Sequence, residues 1–419
     1  MPSCAWEPVS TREGYHMIKA DNGSTAVKPT HTLRAESGSI DMKKEIVMSK
    51  SAQNDRAGNK KALMGAEDVQ GPVNYEFDFN EIVYFLYGAI GALTTTNVGT
   101  VGAVYKHAIT PANCLPSFTY EEAIGRVTDT ANNLQNILVK RSYGVIVGKF
   151  VLRIEGGIVM AEVTFMARGQ FIQAKVQADV SAGSSVVITL DRAKWLTTDD
   201  TVNIYDTTPA NETDAIASMS EVNKTITIAT LGNSYQVADD AKVELTAQTP
   251  VYSEDPQIPT GAQSLVRFGA DITAAATAEA WCVRSAILTI DNDPEMQECL
   301  GDYSKGAGGV VPKARTVTFE FTRSFKNKSD LDKYLQAKEF AIYLELSNGV
   351  RVNATDTGAL KYKTVFKMPK CVINGMPIAR DNNGIYEYTA SVTALLDSTE
   401  GYDISSDTWN KLAGTAYTA

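Results

Sequence analysis

The sequence predicts a mainly β protein: a β-sandwich or barrel with two short helices and a small inserted β-barrel domain. Residues 73–79 (VNYEFDF) and 315–325 (RTVTFEFTRSF) alternate apolar and polar side chains. Alternation with a period of two is typical of half-buried antiparallel strands. Because such segments recur along most of the chain, strand pairing is expected to build its main body; the others are residues 39–48, 145–155, 158–167, 283–291, 340–347 and 384–396.

Two helices are predicted between these strands. Asn80 is in position to cap residues 81–91 (EIVYFLYGAIG), which are apolar on nearly every face and are therefore expected to be buried. Ser329 is in position to cap residues 330–339 (DLDKYLQAKE), with Asp332 as a capping-box partner. Each helix directly follows a strand, which suggests two similar halves of one sandwich.

The chain divides into a body, an insertion and two arms. Residues 170–250 consist of short strand-like runs between polar turns and carry eleven acidic and five basic residues, a net charge of −6. We expect them to form a small β-barrel inserted into the body, which comprises residues 39–169 and 251–397. The remaining residues, 1–38 and 398–419, are polar and weakly patterned, as expected for arms that become ordered against a partner.

Composition excludes several classes of protein. With 419 residues, 44% hydrophobic content and a net charge of −10, the chain is expected to be globular and poorly suited to binding many nucleic-acid phosphates. Its five cysteines contain no CxxC pair and its three histidines form no metal-binding motif, so we expect reduced thiols and no metal or other cofactor. No apolar run resembles a signal peptide or membrane span, so synthesis and initial residence in the cytoplasm are expected, without membrane insertion.

A cluster of acidic residues lies at the end of the predicted strand 283–291. Residues 288–301 (LTIDNDPEMQECLG) contain four acids, but a calcium loop starting at Asp291 would need glycine where Met296 stands. The pattern favours a turn that ends a strand. A hydrolase that pairs Asp291 with Glu295 or Glu298 stays an alternative, although no other catalytic motif accompanies these residues.

A basic segment follows the first predicted strand. Residues 43–61 hold six Lys or Arg residues and two acids. They form either a solvated loop or a contact element for an acidic surface on a neighbouring copy of the chain. The connection is far longer than a hairpin between adjacent strands requires.

Taken in order, four segments resemble the siphophage-type phage tail tube proteins (major tail proteins). Residues 39–91 resemble the opening strand, long polar loop, strand and buried helix of that family. Residues 284–301 are similar to its strand ending in IDN, residues 314–346 to its next strand, helix and strand, and residues 367–395 to its closing strand and hairpin. The resemblance covers most of residues 39–168 and 251–397.

This resemblance implies a structural, non-enzymatic protein. Family members form hexameric rings in which the sheets of the copies close into a barrel, and the rings stack into a tube that conducts the viral DNA during ejection. The implied partners are further copies of the chain, other tail proteins at the tube ends, and DNA that passes through without specific binding. The implied location is the virion tail, after assembly in the host cytoplasm, with the insertion on the tube exterior.

Two groups of residues receive expected roles within such a tube. The polar faces of the strands around residues 73–79 and 315–325 are expected to line the lumen, because their apolar faces must cover the core; the residues are Asn74, Glu76, Asp78, Thr318 and Glu320. The basic loop is expected to contact the next ring or adjacent protomer through Lys50, Arg56, Lys60 and Lys61. The alternative function is a surface or adhesin-like β-domain protein, for which a secretion signal would be expected.

Overall fold

The computed structural model describes most of the chain, and the predicted mainly β fold is confirmed. Three helices occur in the described ranges: α1 (Ile82–Ile90), α2 (Ile272–Thr277) and α3 (Ser329–Leu335). The sequence did not predict α2. No helix in these ranges has the length and apolar character that crossing a membrane requires. The described residues are 14–23, 25–49, 61–99, 103–125, 137–207, 211–252, 255–297, 308–325, 329–355, 358–380 and 386–418.

The first part of the chain contributes eleven strands and α1. They are β1 (Tyr15–Asp21), β2 (His31–Leu33), β3 (Ala35–Gly38), β4 (Asp41–Ser49), β5 (Lys61–Glu76), β6 (Gly91–Asn97), β7 (Tyr105–Pro111), β8 (Ser117–Ile124), β9 (Leu138–Ile154), β10 (Met160–Ala167) and β11 (Gly169–Phe171).

The next part is a separate six-stranded sheet. Its strands are β12 (Gln173–Lys175), β13 (Gly183–Thr189), β14 (Thr201–Tyr205), β15 (Asn211–Ser220), β16 (Thr225–Leu231) and β17 (Lys242–Leu245). Their order is β12-β17-β14-β15-β16-β13. A bridge between Val176 and Leu190 joins the two ends of this sheet, which therefore closes into a small barrel.

The last part contributes ten strands, α2 and α3. They are β18 (Ser264–Gly269), β19 (Ser285–Asp291), β20 (Glu295–Gln297), β21 (Gly309–Val311), β22 (Thr316–Ser324), β23 (Phe340–Arg351), β24 (Lys361–Gly375), β25 (Ile378–Arg380), β26 (Tyr386–Ala394) and β27 (Ser405–Asn410). Short 3₁₀ turns occur at Val237–Asp239, Gly261–Gln263 and Gly414–Ala416.

The same connectivity occurs in the first and last parts, which we call unit 1 and unit 2. In unit 1, β1-β8-β9-β11 form one antiparallel layer and β3-β5-β10-β9 form another. In unit 2, β18-β23-β24-β27 and β19-β22-β26-β24 repeat these two orders. The long strands β9 and β24 belong to both layers of their units because each continues from one layer into the other.

Pairing of β9 with β19 joins the two units. It produces one continuous sheet of eight strands, in the order β3-β5-β10-β9-β19-β22-β26-β24, which we call the long sheet. Its alternating strands bury one face: Val317, Phe319 and Phe321 on β22 are at most 2% exposed. The predicted alternation of residues 315–325 is thereby confirmed.

Helix α1 fills the space beneath the buried face of unit 1. Eight of its nine residues are buried, as predicted, because they contact β9, β7 and β6 on several sides. The predicted Asn80 cap is wrong. The helix begins after Glu81, which makes no capping bond and whose carboxylate instead accepts a hydrogen bond from the backbone N–H of Arg34 at 2.9 Å.

The expectation of unattached terminal arms is also wrong for the described parts of both termini. Strands β1, β2 and β3 are paired within the body, and β27 lies between β24 and β7. The Tyr417 side chain is fully buried, and its hydroxyl donates a hydrogen bond to the carbonyl of Asn80 at 2.8 Å. These strands lack a clear alternating pattern, and their order comes from pairing partners far along the chain. Residues 1–13 lie outside the described part of the chain.

Candidate functional site on the long sheet

The long sheet brings the predicted polar residues of both units to one face. Asn74 lies opposite Glu162, which lies opposite Val151. The same row continues through Thr289 to Thr318 on β22. Residues directly opposite one another in a sheet project from the same face. Asn74 and Thr318 are therefore on the same face, although the sequence places them in different halves of the chain.

A second row places Glu76 and Glu320 on this face. It runs from Glu76 through Met160, Arg153 and Ile287 to Glu320. Glu320 is exposed and Glu76 is half-buried. Both acids lie on the face opposite the core, because their strand neighbours point into it. We call this surface the polar face.

Asp78 does not belong to the polar face, so its expected lumen position is corrected. Strand β5 ends at Glu76, and the alternation therefore stops before Asp78 is reached. The Asp78 side chain is 1% exposed and accepts hydrogen bonds from the backbone N–H groups of Asn80 at 2.7 Å and Gln257 at 3.2 Å. Burial raises the pKa of its carboxyl group.

The charges of the polar face are largely paired. Arg153 lies 3.2 Å from Glu162 and Lys149 lies 3.9 Å from Asp291. These contacts join neighbouring strands of the long sheet.

A third basic residue, Arg284, contacts Glu387. Within the described ranges, Glu76 and Glu320 have no ion-pair partner of the opposite charge. The polar face thus has a small excess of negative charge.

The acidic cluster at residues 291–295 forms the predicted strand-ending turn. The Asp291 carboxylate accepts a hydrogen bond from the N–H of Asp293 at 2.9 Å. The buried Asn292 amide donates to the carbonyls of Ala89 at 3.0 Å and Val147 at 3.1 Å, which ties the turn to the end of α1 and to β9. Glu295 lies 3.3 Å from Lys313.

These contacts give the turn a structural role. Among the described residues, no cluster of three or more His, Cys, Asp or Glu side chains could hold a metal ion. Glu298, a residue of the alternative hydrolase hypothesis, lies outside the described part of the chain.

The basic segment connects two paired strands. β4 and β5 form a long antiparallel hairpin whose last pair is Ser49 with Lys61, so the predicted neighbouring strands are confirmed. Lys50, Arg56 and Lys60 belong to residues 50–60, which are outside the described ranges. The expected contact of this loop with another copy therefore stays a prediction.

A buried polar network, which the sequence analysis missed, attaches the inserted barrel to unit 1. Arg141 on β9 is 1% exposed and lies between the carboxylates of Glu121 and Asp200. Tyr15 donates to Glu121 at 2.7 Å, and the Gln248 side chain donates to the same carboxylate at 2.9 Å. The available sequence signal was a set of charged residues inside otherwise apolar strand segments, at FTYEEAI and LVKRSYGVIV.

The comparisons with known proteins agree with this architecture. No curated protein matches the chain. A family model described as "Phage tail tube protein" matches residues 20–394, which include most of both units and the whole inserted barrel. The chain therefore belongs to the phage tail tube protein family, a family of structural proteins.

Proposed function

We propose that this protein is the repeating subunit of a phage tail tube through which viral DNA passes during ejection. Protomers close laterally into rings with six structural units around the axis, and the rings stack into the tube. The resemblance in sequence implied that six copies of the chain would supply these units. The subunit assembles in the host cytoplasm and becomes part of the virion tail. Other tail proteins bind the tube ends.

One observation carries this proposal: the long sheet has one covered apolar face and one polar face. The apolar face lies on α1 and on the second layers of both units. The opposite face carries Asn74, Glu76, Thr318 and Glu320. A sheet that closes into a barrel removes its exposed edges and must place one face inward.

The chemistry of the polar face suits a conduit. Proteins hold DNA chiefly through Lys and Arg contacts to phosphates. The three basic residues named on this face are each paired with a carboxylate, and Glu76 and Glu320 repel phosphate. DNA can pass along such a wall without being retained.

Two further surfaces receive roles in the same tube. The inserted barrel projects from the outside, because it begins and ends in the layer that does not carry the polar face. The basic segment at residues 43–61 contacts the next ring or the adjacent protomer, with Arg56, Lys60 and Lys61 as the charged contacts.

Electron cryomicroscopy of tubes formed by the purified chain tests the proposal. The expected result is a hollow tube with Asn74, Glu76, Thr318 and Glu320 on the inner wall. Location of these residues on the outer wall, or failure of the chain to form rings or tubes under any condition that keeps it folded, would overturn it.

A charge reversal tests the role of the polar face. Phage that carry Glu76→Lys with Glu320→Lys are expected to assemble tails of normal length and to eject DNA more slowly, because new cations would attract phosphates. The matched control is Glu221→Lys with Glu279→Lys, which changes exposed acids outside the polar face. Equal ejection rates in both phages would contradict the assigned role.

A further inference from the structure

Units 1 and 2 match in register as well as in strand order. In unit 1, Ala35, Ser37 and Gly38 lie opposite Tyr75, Asn74 and Val73. In unit 2, Ala286, Ile287 and Leu288 lie opposite Phe321, Glu320 and Phe319. Each first strand then continues into a similar tripeptide, Ser-Ile-Asp at residues 39–41 and Thr-Ile-Asp at residues 289–291.

The equivalence extends to the third strand of each unit. β10 contains the sequence AEVT at residues 161–164, and β26 contains the similar sequence ASVT at residues 390–393. Ala161 lies opposite Tyr75, as Ala390 lies opposite Phe321. The long sheet is therefore a tandem repeat of a four-stranded unit.

The junction between the units shows how one unit joins the next. In the spatial order of the long sheet, β9 is the strand of unit 1 nearest unit 2, and it pairs antiparallel with β19, the strand of unit 2 nearest unit 1. This pairing places Phe150 opposite Ile290. Both side chains are fully buried, so the core continues across the junction.

The two ends of the long sheet are the equivalents of this junction. Val163 lies opposite Phe150 and Val392 lies opposite Ile373, which makes Ile373 the equivalent of Phe150. The tripeptide match makes Ile40 the equivalent of Ile290. Among the described strands, β3 pairs only with β5, and residues 372–375 pair only with β26.

Both ends have room for a partner strand. A groove of about 490 Å³ lies between β3 and the end of β8 and is lined by Ser37, Ser39 and Glu122. At the other end Asn374 is exposed and Ile378 is 43% exposed. An unpaired edge of this kind is a template for strand addition.

We propose that the edge at residues 35–41 pairs antiparallel with the edge at residues 372–375 of a second copy, with Ile40 opposite Ile373, and that three protomers close the ring. This rests on the proposed function. The contact reproduces between chains the junction that β9 and β19 make within one chain. Each protomer then supplies two of the six units.

Barrel geometry selects three protomers. Strands about 4.8 Å apart and tilted by about 40° each occupy roughly 6 Å of the circumference. Three protomers of eight strands close at a backbone diameter of about 48 Å, which leaves an opening of about 38 Å after about 5 Å of side chain at each wall.

Other ring sizes fit DNA poorly. Grooves about 8 Å deep on both sides, together with the base pairs between them, give a DNA duplex roughly 20 Å across. By the same geometry, two protomers leave an opening of about 22 Å, with almost no space for water or counterions. Six protomers leave an opening of about 86 Å, roughly four duplex widths.

Cysteine cross-linking in assembled tubes tests both the pairing of the two sheet edges and the number of protomers in a ring. Cys4, Cys114, Cys282 and Cys299 are first changed to Ser, while Cys371 stays because it is buried. Ser39→Cys and Gly375→Cys are then combined. A bulge at Asn374 makes Gly375 the equivalent of Val151, and Val151 lies opposite Thr289, the equivalent of Ser39. A Cβ atom at residue 375 would meet only the Ser391 side chain, at 3.9 Å. After oxidation, denaturing gels are expected to show a ladder that ends at a covalent trimer.

The control pair is Ser39→Cys with Ser391→Cys. Residue 391 lies one strand further from the edge, beyond the Cα separation of about 4.4–6.8 Å that a disulfide spans. Tubes of the first pair without cross-links, or equal cross-linking in both pairs, would refute the assigned edges. A ladder that continues to a covalent hexamer would refute a ring of three protomers.

The inserted barrel provides an independent count. It occurs once per chain, so end-on images of wild-type rings are expected to show three outer projections around six units. Six projections would contradict a three-protomer ring even if Ser39→Cys impairs folding. If wild-type protein forms tubes but the cross-linking fails, only this inference is lost; if it forms no tubes, the proposed function fails.

Discussion

Arg141 and Asp200 form a buried bidentate ion pair that joins unit 1 to the inserted barrel. Arg141 Nη1 donates to Asp200 Oδ2 at 2.5 Å and Nη2 donates to Oδ1 at 2.8 Å. Asp200 also accepts a hydrogen bond from the backbone N–H of Thr197 at 2.7 Å, which holds the carboxylate toward unit 1. The orientation of the barrel against the tube body therefore depends on this pair.

Asp200→Ala is expected to destabilise the protein by about 3–5 kcal/mol, because it leaves the buried Arg141 with one of its two carboxylates removed. Chemical denaturation of the unassembled protein measures the change. The control is Asp199→Ala, since Asp199 is exposed and only its backbone carbonyl accepts a hydrogen bond, from Lys28. Equal stability of the two variants would contradict a structural role for the pair.

Removal of the inserted barrel is expected to require repair of the surface beneath it. Tyr15, Met17, Val139 and Tyr143 share one buried cluster with residues of the barrel, and the Tyr143 ring lies 5.4 Å from that of Trp195. A deletion of residues 173–246 with a short Gly-Ser linker exposes these side chains and leaves Arg141 partly unpaired.

The simple deletion is therefore expected to lower the melting temperature and to aggregate. A second deletion that also changes both Arg141 and its partner Glu121 to Gln, Met17 to Thr and Tyr143 to Thr is expected to recover soluble protein and tubes that lack outer projections. Electron microscopy and thermal melts compare the two. If the repaired protein folds and forms no tubes, the barrel has a role in the tube wall.

Glu81→Gln is expected to change the pH dependence of stability. Burial raises the pKa of Glu81 to about 8. The folded protein then holds a proton that the unfolded chain releases near its ordinary pKa of about 4.3, so the free energy of unfolding falls as pH rises between these values.

Glutamine has no such proton, so the variant is expected to gain about 4 kcal/mol relative to wild type between pH 5 and pH 8.5. Denaturant titrations across this range measure the gain. The control is Glu36→Gln, because Glu36 is exposed. Parallel pH profiles for wild type and Glu81→Gln would show that this carboxyl group does not titrate between these values.

The basic loop is expected to contribute to ring stacking. Replacement of Arg56, Lys60 and Lys61 by Ser removes ion pairs worth about 0.2–1 kcal/mol each, a loss that recurs in every protomer. Tubes are expected to shorten at low salt, whereas wild-type tubes shorten only at high salt, where screening weakens the same pairs. Tube lengths in electron micrographs provide the measurement.

A matched triple variant replaces the exposed Lys338, Lys361 and Lys411 by Ser and is expected to leave tube length unchanged. If the loop variant and this control form tubes of equal length at both salt concentrations, the loop does not carry the stacking contact.

Local sequence patterns were enough to predict the mainly β fold, the buried helix α1 and the faces of the regular strands. Alternation predicted that Val73, Tyr75 and Phe77 are buried and that Asn74 and Glu76 lie on the other face. These features follow from local periodicity, because a strand with one buried face repeats every two residues. The turn at Asp291 was likewise readable from local residue types.

Tertiary structure decided every feature that depends on pairing between distant segments. Asp78 is buried because β5 ends two residues earlier, and the short strands near both termini are ordered by β5, β8, β24 and β7. Arg141, Glu121 and Asp200 meet only when the inserted barrel lies against unit 1. The tandem repeat became visible in the register of paired strands, because backbone hydrogen bonds preserve a strand arrangement through many substitutions while only a few matched residues, such as Ile40 and Ile290, stay the same.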